Sequence, residues 1–133
     1  MWYGNFEMVV GCMFAGKSTE AVKRITWARD YLKRRVAVFK PAFDDRYSES
    51  HIVTHDGVSV PATPIRSWPE IADDVQIVFI DEVQFFERPW FEGDLPEEIR
   101  KLLARGIDVF ASGLDTDWRG RPFRVTADLL AMA

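Results

Sequence analysis

Gly11-Cys-Met-Phe-Ala-Gly-Lys-Ser18 fits the spacing G-x-x-x-x-G-K-[ST], and it stands between two segments of different periodicity. Before it, Phe6 to Val10 is a short apolar run with β-branched residues, read as a buried strand that ends at the first glycine. After it, Val22, Ile25, Ala28 and Leu32 recur at helical spacing while Glu20, Lys23, Arg24 and Asp30 take the other faces. The pattern predicts an amphipathic helix from Lys17 to about Arg34, with Lys33, Arg34 and Arg35 suited to its negative end. In that context the glycine loop is a phosphate cradle. Backbone N–H groups of Gly11, Cys12, Met13, Phe14, Ala15 and Gly16 would curl inward toward phosphate oxygens, and the helix N-terminus would add its partial positive charge. Lys17 would reach the β- and γ-phosphates of a nucleoside triphosphate, ATP in this reading, and Ser18 would ligate Mg²⁺. The competing reading, a glycine-rich turn with a surface lysine, is disfavoured by the strand and helix on either side.

The rest of the chain continues the alternation. Val36 to Phe39 reads as a second strand, and the stretch from Lys40 to about Arg66 as irregular, broken by Pro41, Pro61 and Pro64, with a hairpin around His51 to Val60. Ser67 with Glu70 resembles a capping box opening a short helix through Ala72. Val75 to Ile80 is a near-continuous apolar run, the mark of a parallel strand covered on both faces. Asp94 with Glu97 forms a second capping box, Ile99, Leu102 and Leu103 a buried stripe, and Gly106 a C-terminal stop. Ile107 to Ala111 reads as a strand and Val125 to Ala133 as a helix that ends without a stop signal, an ending that looks cut. Strand alternating with helix predicts an α/β fold with a parallel sheet flanked by helices and its ligands at the carboxyl ends of the strands.

Composition narrows the function. The 133 residues suffice for one domain, expected to span the chain. Seventeen basic against twenty-one acidic residues give a net charge of -4, so no cationic field exists to gather nucleic acid. The single cysteine, Cys12, rules out an internal disulfide framework and a multi-cysteine zinc site. The N-terminus lacks a basic and then apolar leader, and no run of roughly 18 apolar residues appears, so a cytoplasmic protein without a membrane partner is expected.

Two acidic positions follow from the loop. A phosphate cradle needs an acid at the end of a nearby apolar strand to hold the magnesium shell, and Asp81 after Val75 to Ile80 meets that need. Glu82 beside it is placed to take a proton from an attacking hydroxyl. The plainer alternative is a pair of acids capping a strand in solvent. Asp44 and Arg46 follow the second strand and reach toward the same edge; the spacing leaves phosphate contact and a solvated turn equally open. His51 and His55 are spaced as helical zinc ligands, but the prolines and Asp56-Gly57 argue for loop or hairpin. Arg88, Trp90 and Phe91 either pack on the domain or meet a neighbouring subunit, and carry no motif.

Taken together, the glycine loop through Thr19, Lys40-Pro-Ala-Phe-Asp-Asp-Arg-Tyr47, His55-Asp-Gly57, Ile80-Asp-Glu-Val-Gln-Phe-Phe86 and Gly113-Leu-Asp-Thr-Asp-Trp-Arg-Gly-Arg-Pro-Phe123 resemble the type II thymidine kinases, the family that includes the cytosolic human enzyme. The order and spacing match from about residue 5 to the end. The resemblance implies a RecA-like P-loop NTPase fold, phosphoryl transfer from ATP to the 5′-hydroxyl of thymidine with Mg²⁺, and a homo-oligomer, usually a tetramer. By position it implies Glu82 as the catalytic base and Asp44, Arg46, Asp81 and Gln84 on the nucleotide and its metal. Met13, Phe85, Leu114, Trp118 and Phe123 would surround the nucleoside, with tryptophan where phenylalanine is usual; core packing is the competing reading for each. Cys12 stands where the family commonly has proline. The family's four-cysteine zinc ribbon and lasso loop over the thymidine have no counterpart within these residues. The alternative to a kinase is therefore a P-loop module that binds ATP without phosphorylating a nucleoside.

Overall fold

A computed structural model describes residues 3–11, 17–42, 51–54, 57–117 and 119–133. Among them run β1 (Phe6–Gly11), α1 (Lys17–Thr26), β2 (Val36–Pro41), β3 (His51–Val53), β4 (Ser59–Pro61), β5 (Thr63–Ile65), β6 (Ile77–Ile80), α2 (Leu95–Ala104), β7 (Asp108–Leu114) and α3 (Arg124–Leu130). Five strands form one parallel sheet in the order β1-β7-β6-β2-β5, and β3 with β4 forms a separate antiparallel hairpin. This is the α/β architecture, a parallel sheet flanked by helices, that the alternating pattern predicts.

Strand periodicity divides the core. Val78, Ile80, Val109 and Ala111 face one side and join Ile99, Leu102 and Leu103 of α2 and Val125 and Leu129 of α3. Phe79 and Phe110 face the other, against Ala21, Val22 and Ile25 of α1, Ala28 just beyond it, and Ile52 and Val60 of the hairpin. Each central strand is thus apolar on both faces, as its unbroken hydrophobic run requires.

The ends of α2 follow local chemistry closely. The Asp94 carboxylate accepts from the Glu97 N–H at 3.2 Å, and Pro96 sits in the first turn, where its missing N–H costs nothing. At the other end Gly106 takes φ 80°, its N–H donates to Leu103 O at 3.0 Å, and the Ile107 N–H donates to Leu102 O at 3.1 Å. That paired closure is a Schellman motif, and it turns the chain directly into β7.

Three expectations need correction. The helix expected to reach about Arg34 ends sooner: past Thr26 it widens into a π-type segment over Trp27–Tyr31, with the Leu32 N–H donating to Trp27 O at 2.9 Å, and Lys33 leaves it at φ 56°. The short helix expected from Ser67 through Ala72 is absent. Ser67 instead bridges Glu92, Trp68 meets Phe39 edge-on at 5.5 Å and Ile71 is buried, so tertiary contacts hold extended a segment too short to nucleate a helix. Within the stretch read as irregular, Thr63–Ile65 adds β5 beside β2. Pro64 is tolerated there because the strand is an edge.

Asp94→Ala should lower unfolding free energy by about 0.5–2 kcal/mol through the lost cap. Leu102→Ala should cost about 2–5 kcal/mol through the cavity it leaves. Urea denaturation of both variants measures the two losses, and the cap variant should be the milder.

Candidate functional site

Because the sheet strands are parallel, their carboxyl ends share one edge, and register determines which residues meet there. Gly11 lies opposite Leu114, Ile80 opposite Ala111, and Phe39 opposite Ile80. The ladder continues past β6, where the Asp81 N–H donates to Phe39 O at 2.9 Å. On the other flank the Ser112 hydroxyl donates to Asp81 Oδ1 at 2.8 Å. Asp81 is 8% exposed, so its carboxylate is held at the strand end rather than loose in solvent.

Glu82 follows with φ 53° and ψ 49°, a left-handed conformation that costs a non-glycine residue roughly 1–2 kcal/mol. It turns the chain sharply from β6 into a single 3-10 turn over Val83–Phe85. Gln84 is 2% exposed, and its side-chain oxygen accepts from the Leu114 N–H at 3.0 Å. The turn therefore lies against the end of β7. Its approach is close: a Cβ built on Gly113 would come within 2.7 Å of the Gln84 side-chain oxygen and 2.7 Å of Val83 Cγ2. Gly113 is glycine because the turn occupies the space a side chain would need.

Beyond β7, residues 115–117 and 119–123 turn back toward the strand end. The Asp117 carboxylate accepts from the N–H groups of Arg119 at 2.8 Å and Arg121 at 3.0 Å, and the Phe123 N–H donates to Asp115 O at 3.0 Å. This closure brings Phe123 edge-on to Phe85, ring centres 6.4 Å apart. Trp90 meets the same Phe85 ring at 4.9 Å. Leu114 is anchored through its carbonyl, which accepts from the Thr126 hydroxyl at 2.7 Å.

The fold thus places Gly11, the backbone start of α1 at Lys17 and Ser18, Asp81, Glu82, Gln84 and Leu114 at the carboxyl edge, and brings Phe85 to Phe123. Cys12, Met13, Phe14, Ala15, Gly16, Asp44, Arg46, His55 and Trp118 lie outside the described residues, as do the side chains of Lys17 and Ser18. Ser112 and Thr126 carry no motif, and Gly113 enters only as the first residue of the Gly113 to Phe123 segment; register against Asp81, Leu114 and Gln84 reveals what each does. Phe91 packs inside the domain at 1% exposure, and Arg88 pairs on the surface with Glu92 at 2.9 Å.

Elsewhere, a cleft of about 560 Å³ opens at the amino-terminal end of the strands, lined by Asn5, Arg34 and Asp108 among others. It lies at the opposite edge from Asp81, away from where a parallel sheet binds ligands. Both arginines that line it are engaged: Arg34 meets Asp108 at 3.5 Å, and Arg24 pairs with Glu7 and Glu20. The Arg24 hydrogen bond holds the Glu20 carboxyl below its ordinary range. Among the described residues no group of His, Cys, Asp and Glu is arranged to hold a metal by itself, and no helix is long and apolar enough to cross a membrane.

A family model for thymidine kinase matches residues 4–133. The chain belongs to the thymidine kinase family. The match covers β1 through α3, so the acid pair and the turn against Gly113 fall within the family's domain.

Gly113→Ala should force the Glu82–Phe85 turn away from β7, costing about 1–3 kcal/mol by overpacking. Thermal unfolding checks this, and a variant as stable as the parent would show that the turn yields without cost.

Proposed function

We propose that this family member is an active thymidine kinase, transferring the γ-phosphoryl group of ATP to the 5′-hydroxyl of thymidine to give dTMP and ADP. The observation that carries the reading is Asp81 and Glu82 side by side at the carboxyl end of β6, on the edge where β1 ends and α1 begins, in a chain matched almost throughout by the family model.

Each residue then has a role. The backbone from Gly11 to Gly16 cradles the phosphates, with Lys17 and Arg46 balancing their charge and Asp44 beside them. Ser18 and Asp81 would hold Mg²⁺; a buried carboxylate fixed at a strand end offers the hard oxygen that ion prefers. Bound there, Mg²⁺ would supply positive charge against the phosphates. Glu82 accepts the 5′-hydroxyl proton as that oxygen bonds to the γ-phosphorus and the bond to the bridging oxygen of ADP breaks. Gln84 serves the nucleotide side by keeping the turn against Leu114. Phe85 and Phe123 meet the nucleoside base, and Met13, Leu114 and Trp118 complete its surroundings. The protein works as a homo-oligomer, a tetramer by family likeness, in cytoplasmic nucleotide salvage supplying DNA synthesis.

Labelled ATP incubated with thymidine should yield labelled dTMP; ADP formed at the same rate with or without nucleoside would replace the kinase with an ATP-binding module. Glu82→Gln should lower turnover by about 10²–10⁴ with ATP affinity nearly unchanged, and full turnover in that variant would remove Glu82 from the base role. Lys17→Ala should weaken ATP binding in a direct titration.

A further inference from the structure

Ser112 is the one polar side chain in the interior of β7 between Val109 and Leu114, and it is 1% exposed. Packing alone would suit an alanine there, as at Ala111, so the hydroxyl needs its own explanation. It lies directly across from the proposed metal-holding acid, since β6 and β7 place Ile80 opposite Ala111 and the next residue of each is Asp81 and Ser112. The hydroxyl donates its only proton to Asp81 Oδ1 at 2.8 Å, a contact to a charged acceptor rather than to a backbone carbonyl. The Asp81 main chain is meanwhile fixed from the other side by Phe39 O at 2.9 Å.

A carboxyl group attached through a terminal sp² carbon turns through a broad torsional well, so a strand end alone does not orient its oxygens. The Ser112 bond fixes one of those oxygens, Oδ1. We infer that Ser112 is a positioning residue: by holding Oδ1 of Asp81 it presents the carboxylate in one fixed attitude to the hydrated divalent cation that accompanies the nucleotide. The inference rests on the proposed role of Asp81 toward that cation, and acts only through it.

The test needs no turnover. ATP binding to the full chain is titrated calorimetrically across a Mg²⁺ series, and again with the metal chelated, for the parent, Ser112→Ala and Asp81→Asn. Ser112→Ala should raise the Mg²⁺ concentration for half-maximal enhancement of ATP binding about tenfold, the scale of losing an outer-shell partner, with metal-free ATP affinity unchanged. A merely structural serine would alter the melting temperature and leave the Mg²⁺ midpoint where it was. An unmoved midpoint in Ser112→Ala with a displaced one in Asp81→Asn overturns the positioning role alone. An unmoved midpoint in Asp81→Asn removes Asp81 from the metal and the positioning role with it. Ser112→Cys, close in size and a much weaker donor, gives the same comparison if the alanine variant does not fold.

Discussion

The parallel ladder joining β2, β6 and β7 is what the candidate site depends on, because it converts sequence position into spatial position at one edge. A slip of β6 by one residue would turn Val78 and Ile80 toward α1 and carry Asp81 off the face where Ser112 meets it. Apolar cores on both sides resist that slip. Burial of Phe79 and Phe110 against α1, and of Val78 and Val109 against α2 and α3, therefore secures the acid pair as much as any hydrogen bond within the site.

The two faces differ in how they bear on the edge. On the α2 side, the Schellman closure at Gly106 delivers the chain into β7 with little slack, so the cap of one helix governs where Ser112, Gly113 and Leu114 fall. On the α1 side, the helix starts at Lys17, and its register is set by Val22 and Ile25 against the sheet. The surface ion pairs add little to either. Arg35 with Asp74 and Arg88 with Glu92 are exposed, where such pairs contribute at most about 1 kcal/mol.

Much of this was legible in the sequence where local chemistry and tertiary structure agree. The run ending at Ile80, the Asp94 cap, the Gly106 stop and the hairpin from His51 all formed because side-chain pattern and burial demanded the same geometry. Reading failed where long-range contact prevailed. Ser67 and Glu70 carry a capping signature, yet Ser67 is recruited by Glu92 and Trp68 by Phe39, residues no local window contains. Thr63–Ile65 was hidden by Pro64, a breaker everywhere except at a sheet edge. At the site, Asp81 and Glu82 announce themselves at the end of an apolar run. Ser112 does not, since its significance is entirely in what lies across from it.

The left-handed backbone at Glu82 sets what the fold needs against what the proposed chemistry needs. Glycine adopts that conformation without penalty, and asparagine with less than most residues, so on folding grounds alone either would suit position 82 better. An acid there is a residue its own fold disfavours, and the proposed role as base is a demand on turnover rather than on stability. Under that proposal, drift toward greater robustness at this position leads away from catalysis, and the turn after β6 becomes a place where a family member gains sturdiness and loses its reaction in the same step.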